Sequence, residues 1–442
     1  MENTQNREPG GYTEGDLNSA YRKAAWRLLP VVGLLYLISF IDRANIGLAQ
    51  EALEADLGIG AAAFGLGAGL FFVSYTLFEV PSNLILHRVG PRVWLARIMV
   101  SWGIVVTATM FVQGPVSFYI LRFLLGVAEA GLFPGLVVYL SYWYSSGSRG
   151  RAIGRSLFWG LPLAFILGGP IGGLLLSLDG TWTLQGWQWL FFVEGLFTVA
   201  VGVVIFFYLA DRPADASWLG SAEREALEAS VLEENREQPG DVSVRQSFTD
   251  RGVLLLGLIF FFANFTLYGL TFWLPSIIRE FGELSDITVG FLYALPWLFG
   301  LGSVFIITGI ADRTGKHRQL SGASYLVMAV ALVVAAAASP VVGLLALCVG
   351  VAGLLAGNAM FWVLPSGYLR GAAAAASIAF INSVANIAGF VSPFFLGLVA
   401  DATGSVKPGL YVLAGGAVIG GGLLLFLFQR VRTDTVPQAP IE

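Results

Sequence analysis

Residues that carry much of enzyme chemistry are scarce in this chain. Among 442 residues there is one cysteine, Cys348, there are two histidines, His87 and His317, and charged residues make up only 12%. A single cysteine excludes an intrachain disulfide. Both histidines fall in short polar turns, and no HExxH helix and no GxSxG elbow is present, which speaks against a hydrolytic enzyme. Lys316 follows a glycine in "RTGKHR", but the earlier glycine and the Ser or Thr of a phosphate-binding loop are missing, so ATP-driven chemistry is not expected. No cofactor, no bound metal and no nucleic-acid partner is expected. Residues 1–26 are polar and hold no short apolar core with a small-residue cleavage site, so no cleaved signal peptide is expected.

What the chain does have is apolar surface. Hydrophobic residues make up 56% and the mean hydropathy is +0.74, against about 45–50% apolar and about 25% charged residues in soluble domains. Lipid is therefore the solvent for most of the chain. Apolar runs near the ~20 residues that cross a bilayer as a helix lie at 28–49, 64–86, 93–112, 117–140, 152–177, 187–209, 251–278, 288–310, 320–338, 341–364, 372–400 and 408–429. Basic residues collect between alternate runs: Arg88, Arg92 and Arg97; Arg149, Arg151 and Arg155; Arg313, Lys316 and Arg318; and Arg370. The opposite loops hold only Arg279 and Lys407. The positive-inside rule then places both termini in the cytoplasm.

The polar segment from Asp211 to Arg251 divides the runs six and six. The expected organisation is a cytoplasmic N-terminal segment (1–26), a first six-helix half (27–210), a cytoplasmic linker (211–250), a second six-helix half (251–430) and a cytoplasmic tail (431–442). Within the linker, Ala226, Leu227, Val231 and Leu232 share one helical face, which predicts an amphipathic helix. Two glycine turns with basic clusters, "HRVGPR" (87–92) and "ADRTGKHR" (311–318), occupy matching places in the halves.

Four of the charges inside the first half's apolar runs share its central and outer layers. Asp42 and Arg43 adjoin in "FIDRANIG", and Arg122 and Glu129 lie seven residues apart in the fourth run. Adjacent helical residues point about 100° apart, so Asp42 and Arg43 need separate partners, whereas Arg122 and Glu129 share a face and could line one cavity. Charge at that depth costs about 2.5–3.5 kcal/mol per residue on insertion scales and marks functional sites. An arginine that grips an anion, beside acids that exchange protons as the arginines change partners, would use this set. Glu79 either lines the cavity or holds the cytoplasmic gate. Glu194, in the sixth run, is expected to be structural, satisfied by a loop or backbone group. The second half offers neutral groups instead: Asn264, Tyr268 and Trp273; Asn358, Trp362 and Ser366; Asn382, Ser383 and Asn386.

"ADRTGKHR" resembles the signature between the second and third helices of each half in the major facilitator superfamily; the first copy has His87 where the acid belongs. "IDRANI" (41–46), "FEVPSN" (78–83), "RFLLGVAEAGLFPG" (122–135), "GWQWLFFVEG" (186–195), "FWLP" (272–275) and "INSVANIAGF" (381–390) together resemble the anion:cation symporter family, over residues 21–430. The resemblance implies an all-α membrane protein with twelve transmembrane helices in two pseudo-symmetric halves. It implies proton-coupled uptake, by alternating access across the cell inner membrane, of a small organic anion such as a sugar acid, a hydroxy-dicarboxylate or an aromatic carboxylate, by a functional monomer. It assigns proton coupling to Asp42, Glu129 and Arg122, and substrate binding to Arg43, Tyr75, Trp362, Ser366 and Asn382, to which the neutral residues of the second half add Tyr268. It gives the cytoplasmic gate to Asp312, Arg313 and Arg92. "ILGGPIGG" (166–173), whose Pro170 allows a kink, partly resembles a signature of drug and proton antiporters with the spacing one residue short. Proton-coupled export of a drug-like or aromatic compound is therefore the alternative.

Overall fold

A computed structural model describes residues 12–157, 160–237, 250–368 and 372–428. Those residues form helices: α1 (Glu14–Leu48), α2 (Gln50–Leu57), α3 (Ala61–Val89), α4 (Pro91–Ala108), α5 (Pro115–Glu129), α6 (Leu132–Ser141), α7 (Ser146–Leu157), α8 (Gly160–Leu176), α9 (Gly186–Tyr208), α10 (Ser221–Glu237), α11 (Arg251–Arg279), α12 (Asp286–Thr314), α13 (His317–Ala337), α14 (Pro340–Phe361), α15 (Val363–Tyr368), α16 (Ala372–Thr403) and α17 (Pro408–Gly422). Among them, eleven helical stretches are long and apolar enough to cross a membrane, and α8 is a shorter apolar one. The all-α membrane architecture is as expected.

Local chemistry sets the boundaries. Pro opens α4, α5, α14 and α17, at a position where the missing N–H is not needed. Thr13 and Asp16 close a capping box on α1, Asp250 caps α11 through the Val253 N–H at 2.9 Å, and Ser285 caps α12. The two basic turns run as tight as their sequences suggest, with Gly90 (φ 96°) and Gly315 (φ 66°) in conformations that favour glycine.

The structure departs from the sequence reading in two places. Helix α1 begins at Glu14, well before the apolar run, because the polar residues 14–26 continue the helix out of the hydrocarbon layer. The fourth apolar run, expected as one helix, breaks after Glu129: Ala130 is extended (ψ 131°) and Gly131 has φ 86°. Ser82 Oγ donates to the Ala130 carbonyl at 2.6 Å and Trp94 Nε1 donates to Ser82 Oγ at 3.0 Å, which satisfies backbone that the break frees. A Cβ on Gly131 would lie 2.5 Å from Ser82 Oγ, so both backbone angle and space require glycine there.

The helices pack into a bundle in which α3 lies along α16 and α8 along α12, while α1 meets α11. These contacts are tightest at the end bearing the α2, α8–α9 and α11–α12 connections, hereafter the distal end. A Cβ on Gly65 would sit 2.3 Å from the Pro393 carbonyl oxygen, and one on Gly169 would sit 2.4 Å from that of Gly290. Backbones touch there because no side chain intervenes. Polar ties reinforce the seal: Ser276 Oγ donates to Gln50 Oε1 at 2.8 Å, and Arg279 pairs with Glu51 at 2.8 Å and with Asp286.

At the opposite, linker end, α10 docks on the first half. Ala226 and Leu227 are buried, Val231 is partly so, and the Leu232 side chain lies outside the described residues. Lys23 Nζ and Ser19 Oγ both reach the Glu223 carboxylate at 2.7 Å, the Gly220 N–H donates to it at 2.9 Å, and Trp218 stacks on Trp143 with centroids 5.5 Å apart. Of these groups, the Lys23 ammonium contributes most to holding the Glu223 carboxyl down at about 2, with the Gly220 N–H and Ser19 adding to it.

Candidate functional site

Between the sealed distal end and the linker end lies a cavity lined by Tyr36, Ser39, Phe40, Arg43, Phe72, Tyr75, Glu79, Glu129, Leu132, Phe133, Tyr268, Asn382 and Asn386. Its floor is an ion pair: Arg43 Nη2 donates to Glu129 Oε1 at 2.5 Å. Glu129 is fully buried and its Oε2 has no hydrogen-bond partner among the described residues. The break after Glu129 ends α5 at that residue, so the carboxylate sits at a half-helix terminus, the discontinuous geometry that transporter folds use at the bilayer midplane.

Arg43 stands among aromatic faces. Its guanidinium carbon is 4.7 Å from the Phe40 ring centre, 5.3 Å from that of Phe71 and 5.9 Å from that of Tyr75. Such faces hold a cation and exclude water without neutralising it, leaving the guanidinium fork able to take a carboxylate.

Asp42 and Arg43 do find separate partners. Asp42 turns away from the cavity and accepts from Trp102 Nε1 at 3.3 Å. Arg122 does not reach the cavity wall either: its guanidinium carbon lies 5.2 Å from the Phe71 centre, with Nε and Nη2 unpartnered among the described residues. Of Asp42, Arg43, Arg122 and Glu129, only Arg43 and Glu129 line the cavity; Arg122 shares a helix face with Glu129 but rests on Phe71.

Tyr75, Tyr268 and Asn382 line the cavity, as does Glu79. Tyr268 packs edge-on against Phe72, with centroids 4.5 Å apart. Trp362 instead packs on Phe260 at 4.8 Å, because the α14–α15 junction turns it toward α11. The Ser366 side chain lies outside the described residues. Asn264 donates to its own helix at the Phe260 carbonyl, Ser383 Oγ donates likewise to the Ala379 carbonyl, Asn358 accepts from Tyr325, and Trp273 Nε1 donates to the Pro393 carbonyl in the distal seal. The residues expected at the gate lie outside the cavity lining. Asp312 is exposed and pairs with His317 at 2.9 Å, Arg313 is exposed, and the Arg92 guanidinium rests 5.3 Å from the Phe206 ring centre. Glu194 departs from its expected role, since neither carboxyl oxygen has a hydrogen-bond partner among the described residues.

Tyr36, Ser39 and Phe40 went unread in the sequence. They precede Arg43 by seven, four and three residues, the spacing that shares its helix face, and that periodicity could have found them.

A bundle of membrane-crossing helices, sealed at one end and enclosing a charged cavity toward the other, defines a transporter and not an enzyme. The chain belongs to the Major Facilitator Superfamily, whose family model matches residues 32–393. It is 44% identical to "Putative tartrate transporter" of Agrobacterium vitis, over 98% of this chain and 97% of that protein. It is 41% identical to "Quinolone resistance transporter" of Acinetobacter baumannii, over 94% and 97% respectively. Among solved structures, a bacterial homologue of the human lysosomal transporter Spinster, crystallised inward-facing and unoccupied, superposes with a TM-score of 0.79 at 16% identity, covering 95% of this chain and 99% of that one. That likeness concerns the fold.

Proposed function

We propose that the protein is a proton-coupled symporter that takes up a small organic anion across the inner membrane. The observation that carries this reading is the buried Arg43–Glu129 pair on the cavity floor, at 2.5 Å. An incoming carboxylate competes with Glu129 for the Arg43 fork, and Glu129, released into a low-dielectric site, takes up a proton instead of remaining an unpaired charge. The Tyr75 and Tyr268 hydroxyls and the Asn382 and Asn386 amides suit the hydroxyls of a sugar acid or hydroxy-dicarboxylate. Asp42 and Arg122 form the second coupling pair, changing partners as Arg43 does. The name of the A. vitis relative favours an acid of this kind.

Symport also fits the electrical balance. An anion entering against an inside-negative potential works against about 2.3 kcal/mol per charge per 100 mV, which a co-transported proton cancels. The halves 27–210 and 251–430 rock about the cavity. The present state is open at the linker end, which the placement of Lys and Arg makes the cytoplasmic side, with both termini there. When that end closes, Asp312, Arg313 and Arg92 lock it. One chain suffices for the cycle.

A second reading is proton-driven export of a drug-like aromatic compound. The A. baumannii relative's name and the aromatic walls, with Tyr36, Phe40, Phe72, Tyr75, Phe133 and Tyr268, favour it. The test is uptake into proteoliposomes of labelled sugar acids, tartrate and aromatic carboxylates, with and without an inward proton gradient. Gradient-driven accumulation of an acid supports symport. Proton-driven movement of neutral or cationic compounds alone, with no acid accumulated, overturns it in favour of export.

A further inference from the structure

Glu79 lines the same cavity as Arg43 and Glu129, yet it belongs to neither coupling pair. Its backbone carbonyl accepts from Asn83 Nδ2 at 2.8 Å, whereas no hydrogen bond or ion pair engages its carboxyl among the described residues. Its place follows from α3. Tyr75 stands one turn before it on the same helix face, with its ring centre 5.9 Å from the Arg43 guanidinium carbon. Helix α3 runs from the distal end toward the linker end, so four residues of rise set Glu79 about 6 Å further toward the linker end than Tyr75. Arg43 and Glu79 therefore mark two ends of one space, the guanidinium on the floor and the carboxyl nearer the linker end.

The charge balance of that space runs against a dianion. Among the described lining residues there is one cation, Arg43, against two carboxyls, Glu79 and Glu129. Arg43 is engaged by Glu129 at 2.5 Å, and a ligand carboxylate that displaces Glu129 occupies that one cation. No described cation of the lining is left for a second carboxylate at the ligand's other end, where it would meet Glu79 instead. A carboxylate accepts hydrogen bonds and donates none, so what Glu79 can take from a ligand is an O–H or N–H donor. The polar groups that share this wall, Tyr268, Asn382 and Asn386, are neutral and suit hydroxyls.

We propose that Glu79 is the charge filter of the cavity. The ligand's carboxylate docks on Arg43, hydroxyls at its far end donate to Glu79, and a second carboxylate at that end is repelled. The class so selected is the hydroxylated monocarboxylic acid, and a dicarboxylate such as tartrate is a poorer ligand than the aldonate that shares its carbon chain. One side chain thus favours the right ligand and disfavours the wrong one, which a site holding Arg43 alone would not do. The inference rests on Arg43 as the anchor of an organic anion, and not on the coupling of that anion to protons.

The test is equilibrium binding to the purified full-length protein, with no proton gradient, of matched pairs that share a carbon chain: threonate with tartrate, gluconate with glucarate, and galactonate with galactarate. Wild type should bind at least one aldonate about tenfold or more tighter than its dicarboxylate partner, and Glu79→Gln should cut that ratio by about tenfold, chiefly by admitting the dicarboxylate. Glu79→Asp, which keeps the charge, should keep the preference. Glu79→Ala, equally neutral, reads the same ratio should Glu79→Gln fold poorly. A wild-type preference for the dicarboxylates overturns the proposal, as does a ratio unchanged in the neutral variants or a failure of every aldonate to bind. Tighter binding of γ-aminobutyrate than of any aldonate overturns it too, since Glu79 would then serve an ammonium group. The readings beneath it fail separately. Binding undiminished in Arg43→Gln removes the anchor, whereas an aldonate that binds but is not accumulated by an inward proton gradient ends the symport reading alone, and the ratio still decides Glu79.

Discussion

Arg43 and Arg122 share one aromatic ring. Their guanidinium carbons lie 5.3 and 5.2 Å from the centre of Phe71, yet among the described residues only Arg43 of the two has a carboxylate at hydrogen-bond distance. The ring lets two cations stand in one apolar layer of α1, α3 and α5 while leaving one of them uncommitted. Replacing Phe71 by Leu should cost each arginine roughly 0.5–1 kcal/mol of cation–π attraction. The expected result is a several-fold weaker carboxylate affinity with only a small fall in melting temperature, read by thermal-shift titration of the purified protein.

Arg43→Gln should abolish saturable uptake. Truncating one member of a buried, hydrogen-bonded charge pair costs about 2–5 kcal/mol, which at 1.4 kcal/mol per decade is a loss of roughly thirtyfold or more. Arg43→Lys should retain partial binding, since the charge survives and the fork does not. Binding of organic acids that persists undiminished in Arg43→Gln would refute the assignment.

Glu129→Gln should separate exchange from coupling. The amide cannot titrate, so counterflow of the transported acid should continue while the proton gradient no longer drives accumulation. Gradient dependence that survives unchanged would remove Glu129 from the proton path.

The distal seal should be adjustable through Arg279. Its partner Glu51 is 59% exposed at the side chain, and such pairs contribute only about 0.2–1 kcal/mol. Arg279→Gln should therefore lower the population open at the linker end by a few-fold at most. A Ser39→Cys reporter on the cavity wall, in a Cys348→Ala background, should label more slowly from that end. A bulkier change, Gly169→Val, should block closure outright, because a Cβ there already meets the Gly290 carbonyl oxygen at 2.4 Å.

The linker anchor should be sensitive to acid. The Glu223 carboxyl is held at about 2, below its ordinary 4.5, chiefly by Lys23. Its contribution is fully present above pH 4.5 and is lost as pH falls through 2. Protease nicking within α10 should be slow at neutral pH and faster near pH 2 to 3, the window that value sets, and Glu223→Gln should be nicked there at neutral pH without acid.

The sequence by itself determined the apolar helices and their order and made Asp42, Arg43, Arg122 and Glu129 stand out, because hydrocarbon tolerates only long apolar helices and makes every buried charge conspicuous. Spacing along one helix also made the separate partners of Asp42 and Arg43 legible. Tertiary structure alone decided which charges meet: that Glu129 pairs with Arg43 while Arg122 rests on Phe71, that the fourth span breaks at Gly131 over Ser82, and that Trp362 turns to Phe260 instead of the cavity. Periodicity assigns a residue to a face but not to the helix packed against it. The Gly103–Gly195 contact that brings Glu194 inward joins residues ninety-two positions apart, and no local pattern encodes such a meeting.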